Sequence, residues 1–344
     1  MHRCRVGKGI ALTAAIIAAS WIAQPSTGQA ESIQWNMTGV VSSGADLAKR
    51  IETISGGTIE VATHEPGELF PHFGLFKAIG EGRVDLGQAV IGYWNKEIPS
   101  APLFSAVPFG PSAPEYLAWM HHGGGQELMQ AVLRPHGIHP ILCSLAAPEA
   151  SGWFRKEIKS AEDLQGLKMR FFGLGALVME KFGVTTQLLP PSKIYAALES
   201  GELDATEFSS PAADLNWGFH KIAKHYYFPG WHQPYTLVAL MINQDSWGAL
   251  SDTQKAQVEA ACSNNLIATL AEDEASQFDA LQKLKAEGVQ LHRWSNDMLN
   301  AFKNAWNDVA GEMSGKDADF KQVWTSLSEF RENYEIWREL ATAE

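Results

Sequence analysis

The sequence predicts an α/β fold of two similar lobes that share one long helix. Strand and helix patterns alternate through the first part of the chain, and the same alternation returns after residue 160. A third observation is that, from near residue 251, apolar residues recur at helical spacing for about 35 residues. Alternating strands and helices form sheets covered by helices, and a helix of that length is too long for one small lobe.

The first part of the chain has the order of a βαβαβ unit. The predicted elements are a strand at 33–40, a helix at 45–54, a strand at 58–63, a helix at 73–80 and a strand at 84–90. Gly56 and Gly57 supply the turn before the second strand. This order favours a mostly parallel sheet, with ligand sites at the carboxyl ends of its strands.

The second part of the chain repeats this plan. Strands are predicted at 167–171, 185–189 and 203–208, with helices at 175–182 and 193–200 between them. An internal similarity relates the two parts, because residues 77–87 (KAIGEGRVDLG) align with residues 196–206 (AALESGELDAT). Each segment ends a helix, passes a glycine suited to a left-handed cap and enters a strand through an aspartate. The similarity predicts two lobes of related structure.

A strand at 235–242 precedes the longest helical pattern, which runs from 251 to 287. Ser251 and Gln254 form a capping box at its start, and Gly288 stops it. At about 1.5 Å per residue this helix is roughly 50 Å long, so we expect it to span both lobes. Amphipathic helices follow at 297–313 and 319–340. Two α/β lobes with a cleft and a hinge are the architecture of type II periplasmic binding proteins.

The N-terminus has the features of an export signal. A basic start at residues 2–8 precedes an apolar run at 9–23, and small residues at 28 and 30 predict cleavage after Ala30. The apolar run is shorter than the roughly 20 residues of a membrane span. Residues 1–30 hold three basic residues and no acidic ones, so the formal charge of −12 becomes −15 without them. We expect a periplasmic protein whose acidic surface excludes nucleic acid as a partner.

The sequence lacks the motifs of common enzymes. It contains no G-x-S-x-G, no P-loop, no H-E-x-x-H and no C-x-x-C. The stretch 122–125 (HGGG) matches the oxyanion-hole string of some lipases, but it follows a helical pattern and has no serine nucleophile to serve. We interpret it as a helix end and turn, and we predict that the chain is not an enzyme.

Two cysteines, Cys143 and Cys262, follow the predicted export signal. An oxidising compartment permits one disulfide between them. Both lie in apolar segments, so two buried thiols are an equal alternative. The sequence leaves this choice open.

Three segments of the second lobe carry a resemblance to a known family. They are residues 163–170 (DLQGLKMR), 194–207 (IYAALESGELDATE) and 229–234 (PGWHQP). They resemble the solute receptors of TRAP (tripartite ATP-independent periplasmic) transporters, and the match covers nearly the whole mature chain. The DATE and GWHQP pieces are similar to the branch that binds 2-oxo and 2-hydroxy monocarboxylates with a metal ion. The resemblance implies a receptor that delivers a small organic acid anion to membrane subunits.

The resemblance also implies which residues bind the ligand. Arg170, at the end of a predicted strand, matches the arginine that pairs with the substrate carboxylate, and a planar guanidinium suits that task. Tyr93 and Trp94 follow the third strand, where the family places aromatic residues over the ligand. We expect Trp231, within the PGWHQP segment, to line the cleft as well.

A metal site is implied at Glu207, the main-chain carbonyl of Phe208 and Gln233. Oxygen ligands of this kind suit Na⁺ or Ca²⁺ and not zinc. The chain departs from the family at Glu149, where a glutamine commonly stands. Two carboxylates on one site repel each other without a cation. If Glu149 and Glu207 both face the cleft, Ca²⁺ is favoured over Na⁺ and Glu149 contributes to the binding site.

Two further departures concern the size of the ligand. Phe208 stands where the family often has tryptophan, and it keeps the carbonyl but has less ring area. Leu145 stands about where relatives have a polar asparagine, so a hydrogen-bond donor is lost. Both changes favour an acid that is bulkier or more apolar than pyruvate.

These predictions combine into one assignment with stated alternatives. Residues 31–150 form the first lobe, to which part of 235–290 returns, and residues 151–234 form the second lobe with parts of 290–344. The C-terminal helices offer a surface for a second copy of the chain.

One alternative is an exported metal-dependent hydrolase, which predicts an open metal coordination position and a nearby base. The other is a sensory ligand-binding module, which predicts an attached signalling segment.

Overall fold

The structure is a computed structural model that describes residue 1, residues 32–42 and residues 44–341. The predicted export signal at 1–30 and its cleavage position therefore lie outside the described residues, apart from Met1. None of the helices in the described ranges combines the length and the apolar composition that a membrane span requires.

The described residues form eleven strands and eleven α-helices. The strands are β1 (Ile33–Gly39), β2 (Ile59–Thr63), β3 (Leu86–Ala89), β4 (Ile138–Ala146), β5 (Gly152–Phe154), β6 (Lys168–Arg170), β7 (Thr185–Gln187), β8 (Ala205–Thr206), β9 (His225–Phe228), β10 (Thr236–Asn243) and β11 (Gln290–Arg293). The helices are α1 (Ala45–Ile54), α2 (Leu75–Gly80), α3 (Ala113–His122), α4 (Gly125–Leu133), α5 (Gly173–Glu180), α6 (Pro191–Ser200), α7 (Pro211–Trp217), α8 (Gln244–Gly248), α9 (Asp252–Ala286), α10 (Asn296–Lys316) and α11 (Ala318–Ala341).

The first sheet has the strand order β2-β1-β3-β10-β4. Strand β1 pairs in parallel with β2 and β3, as the βαβαβ pattern predicts. Strand β10 arrives from much later in the chain and inserts antiparallel between β3 and β4. The sheet is therefore mixed, and the prediction of a mostly parallel sheet is correct only for β1, β2 and β3. The short connections between β1, β2 and β3 determine the order of these three strands. The position of β10 depends instead on pairing with strands that are far away in the sequence.

The second sheet has the strand order β11-β9-β5-β8-β6-β7. Strand β6 pairs in parallel with β7 and β8, and β9 pairs in parallel with β11. The short strand β5 joins these two groups by antiparallel pairing with β8 and β9. The carboxyl ends of β6 and β8 consequently lie at the same edge of the sheet.

Asp85 and Asp204 hold equivalent places in the two sheets. Asp85 precedes β3, and its Oδ2 accepts a hydrogen bond from the main-chain N–H of Asn36 in β1 at 2.8 Å. Asp204 precedes β8, and its Oδ2 accepts from the N–H of Lys168 in β6 at 2.9 Å. Three residues before each aspartate stands a glycine with positive φ, 68° in one case and 80° in the other. The internal sequence similarity thus corresponds to a repeated structural unit.

Helix α9 connects the two sheets. It begins with the predicted capping box, in which Ser251 and Gln254 each bond the main-chain N–H of the other. Val258 and Cys262 pack in a core with residues of the first sheet, whereas Leu284 packs in a core with residues of the second. The prediction of one helix that spans both sheets is confirmed.

Cys143 in β4 and Cys262 in α9 form a disulfide. Of the two alternatives that the sequence leaves open, the structure has the paired one. The bond joins the first half of α9 to the first sheet.

Among the other helices, α10 packs against α5, and α11 packs against α3 and α4. The stretch 122–125 lies between α3 and α4, where Gly123 caps α3 and Gly124 has a φ of 84°, so it is the helix end and turn that we predicted.

Candidate ligand and metal site

A cavity of about 430 Å³ lies between the two sheets. Its lining includes Val90 and Val238 from the side of the first sheet and Arg170 and Phe208 from the side of the second. Beside the cavity the ring of Tyr93 meets the ring of Phe172 edge-on, with centroids 4.9 Å apart. The two parts of the fold therefore touch where the cavity begins.

Arg170 and Glu207 form a buried ion pair at the edge of the second sheet. Because β6 and β8 are parallel neighbours, Arg170 at the end of one lies beside Glu207 just after the other, and the Glu207 N–H donates to the Arg170 carbonyl at 3.0 Å. Arg170 Nη1 donates to the Glu207 carbonyl at 2.6 Å and to its Oε2 at 2.7 Å. The Phe208 ring lies 5.3 Å from the guanidinium carbon, close enough for a cation–π contact.

The guanidinium retains bonding capacity. Arg170 is 1% exposed, and its Nε has no hydrogen-bond partner within the described residues. A buried donor without an acceptor is unfavourable. Arg170 is therefore held rigidly by Glu207 on one side and offers an N–H for a further acceptor.

The electrostatics of Glu207 follow from this pairing. Burial by itself would raise the pKa of the Glu207 carboxyl, but the charge of Arg170 and the contact with His232 outweigh burial and lower the pKa to about 2. Its Oε2 also accepts the main-chain N–H of Phe172 at 2.9 Å. Glu207 is thus an ionised carboxylate at neutral pH.

Glu149 brings a second carboxylate to the same place. Its Oε1 accepts hydrogen bonds from Gln233 Nε2 and from Thr236 Oγ1, each at 2.8 Å. Burial and the charge of Glu207 raise its pKa to about 8, although His232 opposes the shift. A Cβ on Gly230 would lie 2.0 Å from the Glu149 carbonyl oxygen, so only glycine allows the two chain segments to cross here.

Three buried oxygens in this cluster lack hydrogen-bond partners within the described residues. They are Glu149 Oε2, Glu207 Oε1 and Gln233 Oε1. His232 Nε2 lies 3.7 Å from the first and 3.6 Å from the second. One atom each of Glu149, Glu207 and His232 lies within 4.8 Å of the others. Burial lowers the pKa of His232, yet the two carboxylates raise it overall, so the cluster attracts positive charge.

The donor set fits a hard cation. Buried carboxylate oxygens without donors cost free energy unless a cation or a proton neutralises them. Carboxylate and amide oxygens are the ligands that Na⁺ and Ca²⁺ prefer. The residues that the structure brings together are therefore compatible with the metal ion that the sequence predicts.

Five of the predicted site residues line the cavity, and Glu207 lies buried beside them. The five are Tyr93, Glu149, Arg170, Phe208 and Gln233. Trp94 and Trp231 are not among the residues that line it, and a role for them in binding stays a prediction. Trp94 is 3% exposed, stacks on Phe76 and donates its Nε1–H to the carbonyl of Phe73. Trp231 is also 3% exposed and stacks on Phe302. Both rings are core residues.

Leu145 does not line the cavity either. Side chains alternate along a strand, and its neighbours in β4, Ser144 and Ala146, are the ones that line the cavity. Leu145 itself is fully buried in the core. The predicted preference for a bulkier acid therefore cannot rest on this residue.

Some residues that belong to the site were not predicted from the sequence. His232 and Thr236 contact Glu149, and the signal for His232 was its place inside the PGWHQP segment.

Asp214 supports the loop after β8, because its Oδ1 accepts the N–H of Ser209 at 3.1 Å. Its Oδ2 accepts from Trp153 Nε1 and Tyr226 Oη, each at 2.8 Å. Burial raises the pKa of Asp214 well above its usual value. Nothing local in the sequence identifies it.

Comparisons with known proteins agree with this architecture. Residues 38–317 match the family model described as bacterial extracellular solute-binding protein, family 7. The chain is 32% identical over 313 residues to the monocarboxylate 2-oxoacid-binding periplasmic protein of Nostoc sp., with 89% of this chain and 86% of the relative covered.

Two solved structures are similar over most of their length. One is a TRAP transporter solute-binding protein from Bordetella bronchiseptica, a mixed-occupancy dimer with copurified calcium and picolinate in its bound active site. It is 31% identical with a TM-score of 0.87, and 90% of this chain and 95% of that chain are covered. The other, from Pseudoalteromonas atlantica, contains sodium and pyruvate. It is 28% identical with a TM-score of 0.85, and the coverage is 90% and 97%.

Proposed function

The chain belongs to the family of bacterial extracellular solute-binding proteins known as family 7, and we propose that it is the solute receptor of a TRAP transporter. Its ligand is a small 2-oxo or 2-hydroxy monocarboxylate, bound together with a metal ion. The relative named for 2-oxoacids and the structures with pyruvate or picolinate support this ligand class. They lend no support to a hydrolase or to a sensory module.

One observation supports the proposal most directly. Arg170, whose buried Nε lacks an acceptor in the described part of the chain, stands beside three buried oxygens that lack donors there. An organic acid anion supplies the acceptor for Arg170, and a cation supplies the charge for the oxygens. Glu149, Glu207, Gln233 and the carbonyl of Phe208 would hold the cation. When bound, the cation adds positive charge next to the oxygen atoms of the ligand.

The receptor binds and releases its ligand without chemical change. Residues 31–150 and 151–234, with their returning segments, act as two lobes that approach each other around the ligand. The contact between Tyr93 and Phe172 supports a closed arrangement. In the periplasm the closed, ligand-loaded form docks on the membrane subunits, which recognise the relative position of the lobes.

A second copy of the chain is a further partner. Near its end α11 exposes three large apolar side chains, Ile336, Trp337 and Leu340, at 67%, 59% and 77%. Large exposed apolar groups of this kind mark association surfaces. The dimer of the Bordetella relative supports the same assignment.

Thermal unfolding with and without carboxylates tests the proposed function. A ligand at about 100 times its Kd stabilises the folded receptor by about 2.7 kcal/mol, which raises the melting temperature measurably. We expect a 2-oxo or 2-hydroxy monocarboxylate to do so, and a chelator to weaken the effect of the acid. A melting temperature that no carboxylate changes would contradict the proposal.

Arg170→Ala is the variant that tests the anchor. We expect it to remove the shift caused by the acid, whereas Arg83→Ala, which alters an exposed arginine paired with Glu81, keeps the full shift. Because Arg170→Ala leaves Glu207 buried without its partner, circular dichroism checks that the variant is folded. Arg170→Lys is a second test of the anchor, since it keeps the positive charge and loses the planar guanidinium.

A further inference from the structure

Asp214 is a fully buried acid that lies in α7, behind the wall of the cavity and not among the residues that line it. Its Oδ1 accepts the main-chain N–H of Ser209, and its Oδ2 accepts from Trp153 Nε1 and Tyr226 Oη. Trp153 and Tyr226 are paired across β5 and β9, and their rings stack with centroids 3.7 Å apart. The second sheet therefore holds the carboxyl group of Asp214 in place.

The bond to Ser209 acts on the Phe208 carbonyl, because the Ser209 N–H and the Phe208 C=O belong to one peptide unit. This peptide is trans, so its N–H and its C=O point in opposite directions. Asp214 lies on the N–H side, and the Phe208 oxygen consequently points away from Asp214. The Ser209 carbonyl accepts the N–H of Ala150 at 3.2 Å, which fixes the next peptide unit as well.

The Phe208 carbonyl differs from the carbonyls on either side of it. The Glu207 carbonyl accepts from Arg170 Nη1 at 2.6 Å and from Thr206 Oγ1 at 2.8 Å, and the Ser209 carbonyl is also bonded. The Phe208 carbonyl accepts no hydrogen bond from the described part of the chain. Of three successive carbonyls, only the middle one is therefore free to bind a cation.

We propose that Asp214 is a positioning residue of the cation site, which holds the peptide between Phe208 and Ser209 so that the Phe208 carbonyl can bind the cation. This inference rests on the proposed function and assigns a role in it to a residue outside the cavity. A carbonyl that is already oriented requires no ordering of the loop 207–210 when the cation binds. Residues that hold a metal ligand without touching the metal change metal affinity by about 10- to 100-fold when they are replaced.

A carboxyl group suits this position better than an amide. The Ser209 N–H and the Trp153 Nε1–H can only donate, and each faces a different oxygen of Asp214. Asparagine has one oxygen and one NH₂ group, so one of these two donors would face another donor. Either the Ser209 peptide is pushed away, or the side chain loses its attachment to Trp153. Tyr226 is satisfied in both cases, because its hydroxyl can donate or accept.

Calorimetric titration of Ca²⁺ in the presence of pyruvate tests the proposal. We expect the Kd for Ca²⁺ to rise about 10- to 100-fold in Asp214→Asn. Tyr226→Phe is the matched control, because it removes one bond to Oδ2 and keeps the bond to Ser209. It should lower the melting temperature and leave the Kd for Ca²⁺ nearly unchanged.

The outcomes separate this proposal from the proposed function. If Asp214→Asn binds Ca²⁺ as tightly as the parent protein, or if both variants lose the same affinity, the role of Asp214 is wrong and the proposed function stands. If the parent protein binds neither Ca²⁺ nor pyruvate, the proposed function fails and the role of Asp214 fails with it.

Nuclear magnetic resonance of the parent protein provides an independent test if Asp214→Asn does not fold. A cation on the Phe208 oxygen draws electron density from the Ser209 nitrogen of the same peptide unit. We therefore expect Ca²⁺ with pyruvate to change the ¹⁵N chemical shift of Ser209 more than that of Ser210, whose preceding carbonyl is already bonded to Ala150. A Ser209 shift that does not respond to Ca²⁺ would overturn the proposal.

Discussion

Glu149 decides how much negative charge the candidate metal site carries. Its carboxylate shares a buried cluster with that of Glu207, and only one of the two is paired with Arg170. Two carboxylates and one guanidinium leave one net negative charge when both acids are ionised and His232, which contacts both carboxylates, is neutral. Burial, together with the charge of Glu207, raises the pKa of Glu149 to about 8. A divalent ion compensates this charge better than a monovalent one.

The first prediction replaces Glu149 by glutamine. Glu149→Gln keeps the shape of the side chain and removes its charge, so we expect Ca²⁺ to bind at least tenfold more weakly, a loss of about 1.4 kcal/mol. Na⁺ should bind as well as before or better. Calorimetric titration of each ion in the presence of the acid measures both affinities. Glu127→Gln, at an exposed position on α4, is the matched control, and an unchanged Ca²⁺ affinity in Glu149→Gln would refute the argument.

For single residues, the sequence predicted positions better than the directions of side chains. Arg170 and Gln233 line the cavity, and the sequence pointed to them because they lie in segments that resemble a known family. Tyr93 and Trp94 are neighbours in a short turn, yet one ring reaches the cavity and the other enters the core. Local sequence indicates that such residues follow a strand. It does not determine which way each side chain points, because that depends on Phe76, Phe172 and other distant packing partners.

At the scale of elements, α9 links the two halves of the site. Asp273, midway along the helix, accepts the N–H of Ala147 at 2.8 Å on Oδ2 and the hydroxyl of Ser210 at 3.1 Å on Oδ1. These partners follow β4 and β8, the strands that lead to Glu149 and Glu207. The position of α9 therefore fixes how the two carboxylates meet, and the disulfide to β4 fixes α9 to the first sheet.

The second prediction concerns that disulfide. Cys143 and Cys262 are 119 residues apart, and closing a loop of about 100 residues stabilises a protein by roughly 4–5 kcal/mol in the chain-entropy treatment. We expect Cys143→Ala/Cys262→Ala to lower the free energy of unfolding by a few kcal/mol. Denaturant titration measures it. Reductant should lower the stability of the parent protein and leave that of the double variant unchanged, and equal responses of the two would contradict the prediction.

The elements that were predicted have strong local signals. Helix α9 has a capping box and a long run of apolar residues at helical spacing. The sequence between β1, β2 and β3 contains clear turn signals. Strand β4 was missed because it is apolar almost throughout and contains Pro140, so it shows no alternation of period two. Strands β5, β9 and β11 have three or four residues each, too few for a pattern. Their identity depends on pairing across the second sheet.

At the scale of the whole molecule, binding depends on how closely the two parts of the fold approach. The charged cluster joins Arg170 and Glu207 of the second sheet to Glu149 and Gln233, which lie on segments that run between the two sheets, whereas much of the cavity wall comes from the first sheet. A ligand contacts both only when they are close together. Gly92 lies at this junction, where a Cβ would stand 2.8 Å from Cζ of Phe172 on the opposite side. The absence of a side chain at Gly92 thus permits the observed closure.

The third prediction is that a side chain at this junction weakens ligand binding. Gly92→Val crowds Phe172 across the junction, and it also presses on Pro102 Cα and Ser105 Oγ, which a Cβ would meet at 3.1 and 3.3 Å. Overpacking of this kind costs about 1–3 kcal/mol. The Kd for the acid should therefore rise roughly 5- to 150-fold, and the melting temperature of the ligand-free protein should fall as well. Calorimetry and thermal unfolding measure the two effects. Gly311→Val, in open space on α10, is the control. An unchanged Kd in Gly92→Val would show that ligand binding does not require this closure.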